Sequence, residues 1–227
     1  APPTPIFSGF GPGEVQLSPN LVGEAVPQWW GAKGDGQTDD TTALQCALDS
    51  GCPVIRIPKG RYLLRAPLNL TNRSGIKLIG AGSAEGLGTA LVGDTGGVVL
   101  DLSGSRHTEL RDLDIVSGDT APSTVGILYA RTPQVQFVEF NSLHQVGVFL
   151  RSLPWVNNGN GTVAVYNYAA ELWRGRNLYL VADTAVAFTG YNAYGILSPF
   201  VDLFTGYPSM SQCTIDGVST LRGLAGP

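Results

Sequence analysis

Residues 29–64 read "WWGAKGDGQTDDTTALQCALDSGCPVIRIPKGRYLL", and this stretch decides how the rest of the chain is understood. It opens with glycines and acids, passes through one helix-forming run, and ends in β-branched residues closed by Pro-Lys-Gly. Ala43, Leu44, Ala47 and Leu48 share one helical face. Thr38 or Asp39 is placed to cap the start with a side-chain oxygen, and Asp39 and Asp40 suit the positive end of the helix dipole. Gly51 stops the helix and Pro53 prevents its resumption. The pattern predicts a helix over about 39–50, then a strand in "VIRIP" with Val54 and Ile57 as its apolar residues.

The segment "GAKGDGQTDD" admits three readings: a phosphate cradle, a reaction centre on Asp35, Asp39 and Asp40, or a set of turns and caps. No Gly-Lys-Ser/Thr follows, and three acids would repel a phosphate. The helix signals favour turns and caps over the reaction centre.

Outside this stretch the chain changes character. Short β-rich runs such as "IKLIG", "GVVLDLSG", "LRDLDIVSG", "VGILYA", "VGVFL" and "NLYLVAD" recur between Gly, Ser, Asn and Asp. A frame of apolar, two residues, apolar, one residue, apolar-or-small repeats. It is met at Leu110/Leu113/Ile115, Phe137/Phe140/Ser142, Gly175/Leu178/Leu180 and Ile215/Val218/Thr220. Steps of this size fit a solenoid whose turns bear variable loops, and Asn-Gly hairpin signals between strands are nearly absent. The residues therefore predict an all-β fold, a parallel β-helix (β-solenoid) with one short N-terminal capping helix over its open end.

Composition sets the remaining limits. The chain has 227 residues, enough for one large domain. Hydrophobic residues make up 43%, which argues against disorder, and charged residues only 14%, so much of the surface must be neutral polar. The net charge of −4 offers nothing to nucleic acid or an anionic membrane. No apolar run approaches the roughly 20 residues of a membrane span. The opening "APPTPIFSGF" has neither a basic nor an apolar signal region. Cys46, Cys52 and Cys213, with only His107 and His144 in the chain, show no metal-ligand spacing. No cofactor or metal is called for. Cys46 and Cys52 are either buried free thiols, the plainer reading, or a disulfide across the helix end.

"GAKGDGQTDDTTALQCAL", "VIRIPKGRYLL" and "IKLIGAG" together resemble the start of the pectate-lyase-superfamily right-handed parallel β-helix domain. That family includes polygalacturonases, fungal β-1,3-glucanases and bacteriophage tailspikes. The resemblance covers Trp29 to about Gly104 and implies a single-stranded, right-handed coil at 29–227, entered and capped by Gly31–Leu48. It also implies that chemistry sits on the lateral surface, on acids in hydrolases or basic residues in lyases. The polygalacturonase signatures Asn-Thr-Asp and Gly-His-Gly are absent, and "CTIDG" at Cys213–Gly217 is a faint echo.

Aligning the repeat frame sets Asp112 beside Glu139 and Asn177, and Asp114 beside Asn141 and Tyr179. All six are expected to point outward, because Leu113, Phe140 and Leu178 point in. Asp112, Asp114 and Glu139 are then candidate catalytic acids at glycosidase spacing. Asn141, Asn177 and Tyr179, with Trp155 and Trp173 from the aromatic-rich insertion at 151–175, are candidate sugar-binding residues. The alternative is a solvated polar face, which every solenoid has.

Residues 1–28 are Pro/Gly-rich and irregular, an arm expected to attach to other virion proteins or a neighbouring subunit. The last residues, "LRGLAGP", supply no amphipathic cap, so a partner or further chain is expected at that end. Together these features lead to a homotrimeric, tailspike-like virion appendage that binds, and if enzymatic depolymerises, a polysaccharide. A secreted polysaccharide hydrolase or lyase and a purely structural virion protein are the alternatives. Asn69, Asn72 and Asn160 head glycosylation triplets.

Overall fold

The computed structural model describes residues 4–83, 87–123, 125–129 and 142–149, together with the backbones of strands at 138–139, 163–168, 170–171, 174–176, 179–181, 184–189, 203–204, 214–216 and 220–221. The chain enters through β1 (Glu24–Ala25), a 3₁₀ turn at Pro27–Trp30, β2 (Asp35–Asp39) and the helix α1 (Thr41–Asp49). A first complete turn follows, with β3 (Val54–Arg56), β4 (Gly60–Leu64) and β5 (Leu68–Asn69). The second has β6 (Lys77–Ile79), β7 (Thr89–Gly93) and β8 (Val98–Asp101), and the third β9 (Glu109–Ser117) and β10 (Val125–Tyr129). Beyond them lie β11 (Val138–Glu139), β12 (Ser142–Phe149), β13 (Val163–Tyr168), β14 (Ala170–Glu171), β15 (Arg174–Arg176) and β16 (Tyr179–Val181). The last are β17 (Thr184–Thr189), β18 (Leu203–Phe204), β19 (Thr214–Asp216) and β20 (Thr220–Leu221).

All pairings among these strands are parallel. A first face stacks β1, β3, β6, the first half of β9, the first half of β12, β15 and β19. A second stacks β2, β4, β7, the second halves of β9 and β12, β16 and β20. A third stacks β5, β8, β10, β13, β17 and β18. The result is a mostly β molecule of parallel strands in curled sheets with one helix, consistent with a parallel β-helix.

Each face sends one column of side chains inward. On the first these are Ala25, Ile55, Leu78, Leu110 and Leu143. The second supplies Tyr62, Leu91, Ile115 and Val148, and the third Leu68, Leu100 and Ile127, all buried. Burying one such aliphatic side chain stabilises by roughly 1.5–3 kcal/mol, so the stacked columns are the fold's main support. In "VIRIP" the inward residues are Ile55 and Ile57, with Val54 half-buried, which corrects the expected Val54/Ile57 pairing.

Corners need backbone that most residues avoid. Asp112 (φ 55°) and Gln145 (φ 52°) occupy the left-handed region where β9 and β12 turn from the first face to the second. Between the third face and the first, Asn72 stacks on the turn at Gly104 and Gly75 on the turn at His107, all with positive φ. Gly80 fills a different need: a Cβ there would stand 2.2 Å from the Asp112 carbonyl oxygen.

The helix α1 takes the place a strand would have outside β5. Gln45 Oε1 accepts from the Asn69 N–H (2.8 Å) and its Nε2 donates to the Asn69 carbonyl (3.0 Å), so a side-chain amide satisfies the strand edge. Leu44 and Leu48 plug the coil. The expected cap at Thr38 or Asp39 is not made in that form. Asp39 accepts from the N–H and hydroxyl of Thr41, while Asp40, at the N-cap position, bonds elsewhere. At the other end Arg73 donates to the Leu48 carbonyl and pairs with Asp49.

Cys46 and Cys52 are buried free thiols facing the carbonyls of Phe10 and Val22. Those contacts belong to the N-terminal segment, which lies across α1. Phe7 packs on Trp30 with ring centroids 5.1 Å apart, and the Leu17 N–H donates to the Ser50 carbonyl at 2.6 Å. Residues 4–22 thus find contacts on their own domain, where the sequence led us to expect ordering mainly against a partner.

Candidate functional site

The acids of the opening motif are spent on backbone. Asp40 is buried, and its carboxylate accepts from the N–H groups of Lys33 (2.7 Å) and Gly34 (2.9 Å). Burial pushes its carboxyl above the ordinary value, against the lowering effect of those bonds. Asp35 accepts from the N–H groups of Gln37 and Thr38 and from the Thr38 hydroxyl, and these bonds bring its carboxyl down to about 2. Gly34 has φ 62° and lies under the Tyr62 ring, where a Cβ would stand 2.9 Å from the ring. The Tyr62 hydroxyl accepts from Gln28 and donates to the Pro58 carbonyl, and burial pushes its pKa to about 12. This is an entry loop whose carboxylates accept hydrogen bonds from its own backbone and hydroxyl groups.

The predicted acid column is not assembled. The ladder pairs Leu110 with Leu143, Leu113 with Val146 and Ile115 with Val148, so Asp112 stands beside Gln145. Glu139 lies off that ladder in β11, paired with Glu171 of β14. The frame had two matches within a few residues, at Phe137/Phe140/Ser142 and Leu143/Val146/Val148. The second carries branched aliphatics at every inward position and takes the core. Asp114 is 1% exposed and accepts from the Ser83 hydroxyl at 2.6 Å, so it does not face solvent as expected. Asp114 and Tyr179 do fall in one column, with Gly147 between them. The last match is also offset, because Leu221, not Thr220, pairs with Leu180. Asn141, Asn177, Trp155 and Trp173 lie outside the described residues.

The ladder reveals a different constellation. On the first face the strands read Val-Ile-Arg, Lys-Leu-Ile, Glu-Leu-Arg and Ser-Leu-His, each with its middle residue inward, and the backbone register continues into Arg-Gly-Arg and Thr-Ile-Asp. The positions that flank the inward residues form two outward columns among the residues whose side chains are described. One runs Glu24, Val54, Lys77, Glu109, Ser142; the other Arg56, Ile79, Arg111, His144. The side chains of Arg56, Lys77 and Arg111 are 47%, 50% and 43% exposed. Arg56 forms a two-pronged bond to Glu24, which holds the Glu24 carboxyl below its ordinary value. Glu109 is shared between Lys77 Nζ and Arg111 Nε, each 3.3 Å away. His144 Nδ1 is buried without a hydrogen-bond partner among the described residues. Sequence reasoning missed this set, although the six tripeptides carry it once the right middle residue is chosen.

A cleft of about 430 Å³ lies between Pro19, the end of α1 and the turn at Arg73–Ile76. On its wall Arg73 pairs with Asp49 and donates to the Leu48 carbonyl. Among the described residues no cluster of His, Cys, Asp or Glu could hold a metal ion, and no helix is long and apolar enough to cross a membrane.

The family model described as rhamnogalacturonase A/epimerase, pectate lyase-like, matches residues 28–121. This region is a pectate-lyase-like domain. The match begins just before the entry loop and ends between β9 and β10 of the third turn. Two solved structures are similar over most of the chain. One is ORF18 of Geobacillus virus E2, at 18% identity and TM-score 0.48, matched over 84% of this chain and 42% of its own. The other is a candidate glycosyl hydrolase from Parabacteroides merdae, at 11% identity and TM-score 0.47, matched over 85% and 95%. The chain thus spans less than half of the viral protein. A search of the curated proteins found no match.

Proposed function

We propose that this chain is a single-stranded, right-handed parallel β-helix that carries an extended polysaccharide along its side, as a tailspike-like virion appendage. The hand follows from the strong preference of parallel crossovers for right-handed connection. The observation that carries the binding reading is the first face. Its pairings follow one another from Glu24 to Thr214, and its outward side chains include the charged and substantially exposed Glu24, Arg56, Lys77 and Arg111. Such a surface is rigid, polar and elongated, which suits a polymer better than a small molecule. A binding role without cleavage is favoured, because Asp114 is covered and Asp112 turns a corner away from the Glu139 ladder.

The appendage reading rests on the capped end. Ile6, Phe10 and Leu21 are 64%, 50% and 86% exposed on the N-terminal segment, an apolar contribution suited to other virion proteins or to sister subunits of a homotrimer. A secreted hydrolase or lyase is the competing reading. Affinity electrophoresis in polysaccharide gels tests binding, a reducing-sugar or unsaturated-product assay tests cleavage, and light scattering tests assembly. Retardation without product, from a trimer, is expected. Steady product release from a monomer would replace this reading with the free enzyme.

A further inference from the structure

We propose that the cleft at the capped end is a binding site for a single neutral sugar residue, set apart from the outward columns of the first face. Its volume of about 430 Å³ falls in the range of small-ligand sites. Three elements meet to form its walls. Pro19 comes from the N-terminal segment, Asp49 and Pro53 from the stretch between α1 and β3, and Arg73, Ser74 and Ile76 from the turn that leads into β6. These walls are held in place. Pro19 sits in a turn closed by the N–H groups of Leu21 and Val22, which donate to the Ser18 carbonyl at 2.9 and 2.8 Å. The segment is tied to the helix end by the Leu17 N–H on the Ser50 carbonyl (2.6 Å) and Gln16 Nε2 on the Asp49 carbonyl (2.7 Å). The ring of Pro53 locks its own φ. A cleft fixed in advance loses little conformational freedom when it is filled.

The chemistry of the cleft selects a ligand that has hydroxyl groups and no net charge. Asp49 and Arg73 pair with one another, so the polar wall is a neutral couple of acceptor and donor. Asp49 Oδ1 accepts from Arg73 Nη2 and Gln45 Nε2, while no described residue donates to Oδ2. Arg73 Nη1 and Nη2 donate to the Leu48 carbonyl and to Asp49, while no described residue accepts from Nε. The side chains of Asp49 and Arg73 are 16% and 27% exposed, which leaves both within reach of the cleft. Ser74 is exposed, and its hydroxyl both donates and accepts. An anion would meet the Asp49 carboxylate and the negative end of the α1 dipole, and a cation would meet Arg73. Two adjacent hydroxyls of a sugar fit both partners. One donates to Asp49 Oδ2, and its neighbour accepts from Arg73 Nε or from Ser74. The C–H face of the ring then lies on Pro19, Pro53 and Ile76, whose surfaces are apolar. A purely apolar group would cover the same walls and strip water from the Asp49 oxygen without replacing the lost bond.

The test is saturation-transfer NMR on the full chain with methyl glucoside, methyl galactoside and methyl rhamnoside, beside methyl galacturonoside and cyclohexanol. At least one neutral glycoside is expected to bind with a dissociation constant of about 1–10 mM, with the galacturonoside and cyclohexanol at least about tenfold weaker. Ser74→Trp sets an indole in the cleft from an exposed position and should abolish the signal. Asp49→Asn should lower the affinity on the order of tenfold, and Arg61→Gln, on the second face, should change nothing. If Asp49→Asn does not fold, Ser74→Trp carries the same comparison. Equal binding of cyclohexanol, tighter binding of the galacturonoside, or an unchanged signal in Ser74→Trp overturns the inference. So does silence from all the neutral glycosides. Retention of a polysaccharide on the first face is read separately by gel electrophoresis, so the two readings stand or fall apart.

Discussion

The entry loop at 31–40 and the first face of the coil are both rich in charge, and they use it in opposite ways. In the loop, Asp35, Asp39 and Asp40 turn their carboxylates onto nearby backbone and hydroxyl groups. On the face, Lys77 and Arg111 project from a fully paired ladder and share a single acid. The difference follows from what the backbone needs. A loop without ladder bonds must borrow acceptors from its side chains, whereas a strand in mid-sheet leaves its outward side chains free. A conspicuous acidic motif is therefore architecture here, and plainer tripeptides hold the surface chemistry.

The largest expected effect tests whether the capped end is structural throughout. Leu48→Ala removes a buried plug of the coil and should cost about 2–5 kcal/mol, read as a lower denaturation midpoint. A cost under about 1 kcal/mol would mean that α1 is an ornament on a coil that closes without it. Gly80→Ala comes next. Its methyl would press on the Asp112 carbonyl and on the Cβ atoms of Leu113 and Thr89, so a loss of about 1–3 kcal/mol is expected at a position with no role in binding.

Asp40→Asn probes the loop directly. The amide keeps one acceptor where two N–H groups converge, so stability should fall by roughly 1–2 kcal/mol, with glycan affinity unchanged. Lost affinity in a variant that melts normally would move the motif from architecture to chemistry.

Much of this was legible in the sequence, for a physical reason. Helix signals at about 39–50 and the inward aliphatic repeat are local and redundant, so the one helix and the stacked parallel strands could be read from Leu44, Leu48, Leu110 and Leu113. The outer columns were not, because a register choice of one rung moves every outward residue. Phe140 and Val146 were both acceptable inward residues, and choosing the former put Glu139 where Gln145 belongs. Only the ladder separates two apolar candidates so close in sequence.

Acid titration sharpens the contrast between two carboxylates of the same loop. Asp35 has a folded pKa of about 2 against an ordinary 3.8, so the stability it contributes is full above 3.8 and fades as pH falls toward 2. Asp40 is shifted the other way, so its contribution is present below 3.8 and is lost as pH rises through its raised value. Melting curves between pH 5 and about 2 should therefore lose less stability on acidification in Asp35→Asn than in the parent, and more in Asp40→Asn. Parallel shifts in both variants would show that hydrogen bonding at Asp35 and burial at Asp40 do not set the titration of the loop.

The smallest stability effect is expected on the first face, and there the comparison meets its closest test. The Lys77 ammonium is half exposed and shares Glu109 with Arg111, so solvent screens most of what the pair contributes. Lys77→Gln should change stability by less than about 1 kcal/mol, because Leu78 beside it keeps its place in the core and the ladder bonds are untouched. The same substitution leaves Glu109 to Arg111 alone and removes one exposed polar group from the face, so it should weaken polysaccharide binding. A variant that melts like the parent and binds less is what a surface kept for a ligand predicts. If Lys77→Gln costs as much stability as Gly80→Ala and leaves binding unchanged, the cations of the first face are structural, and the contrast between loop and face disappears.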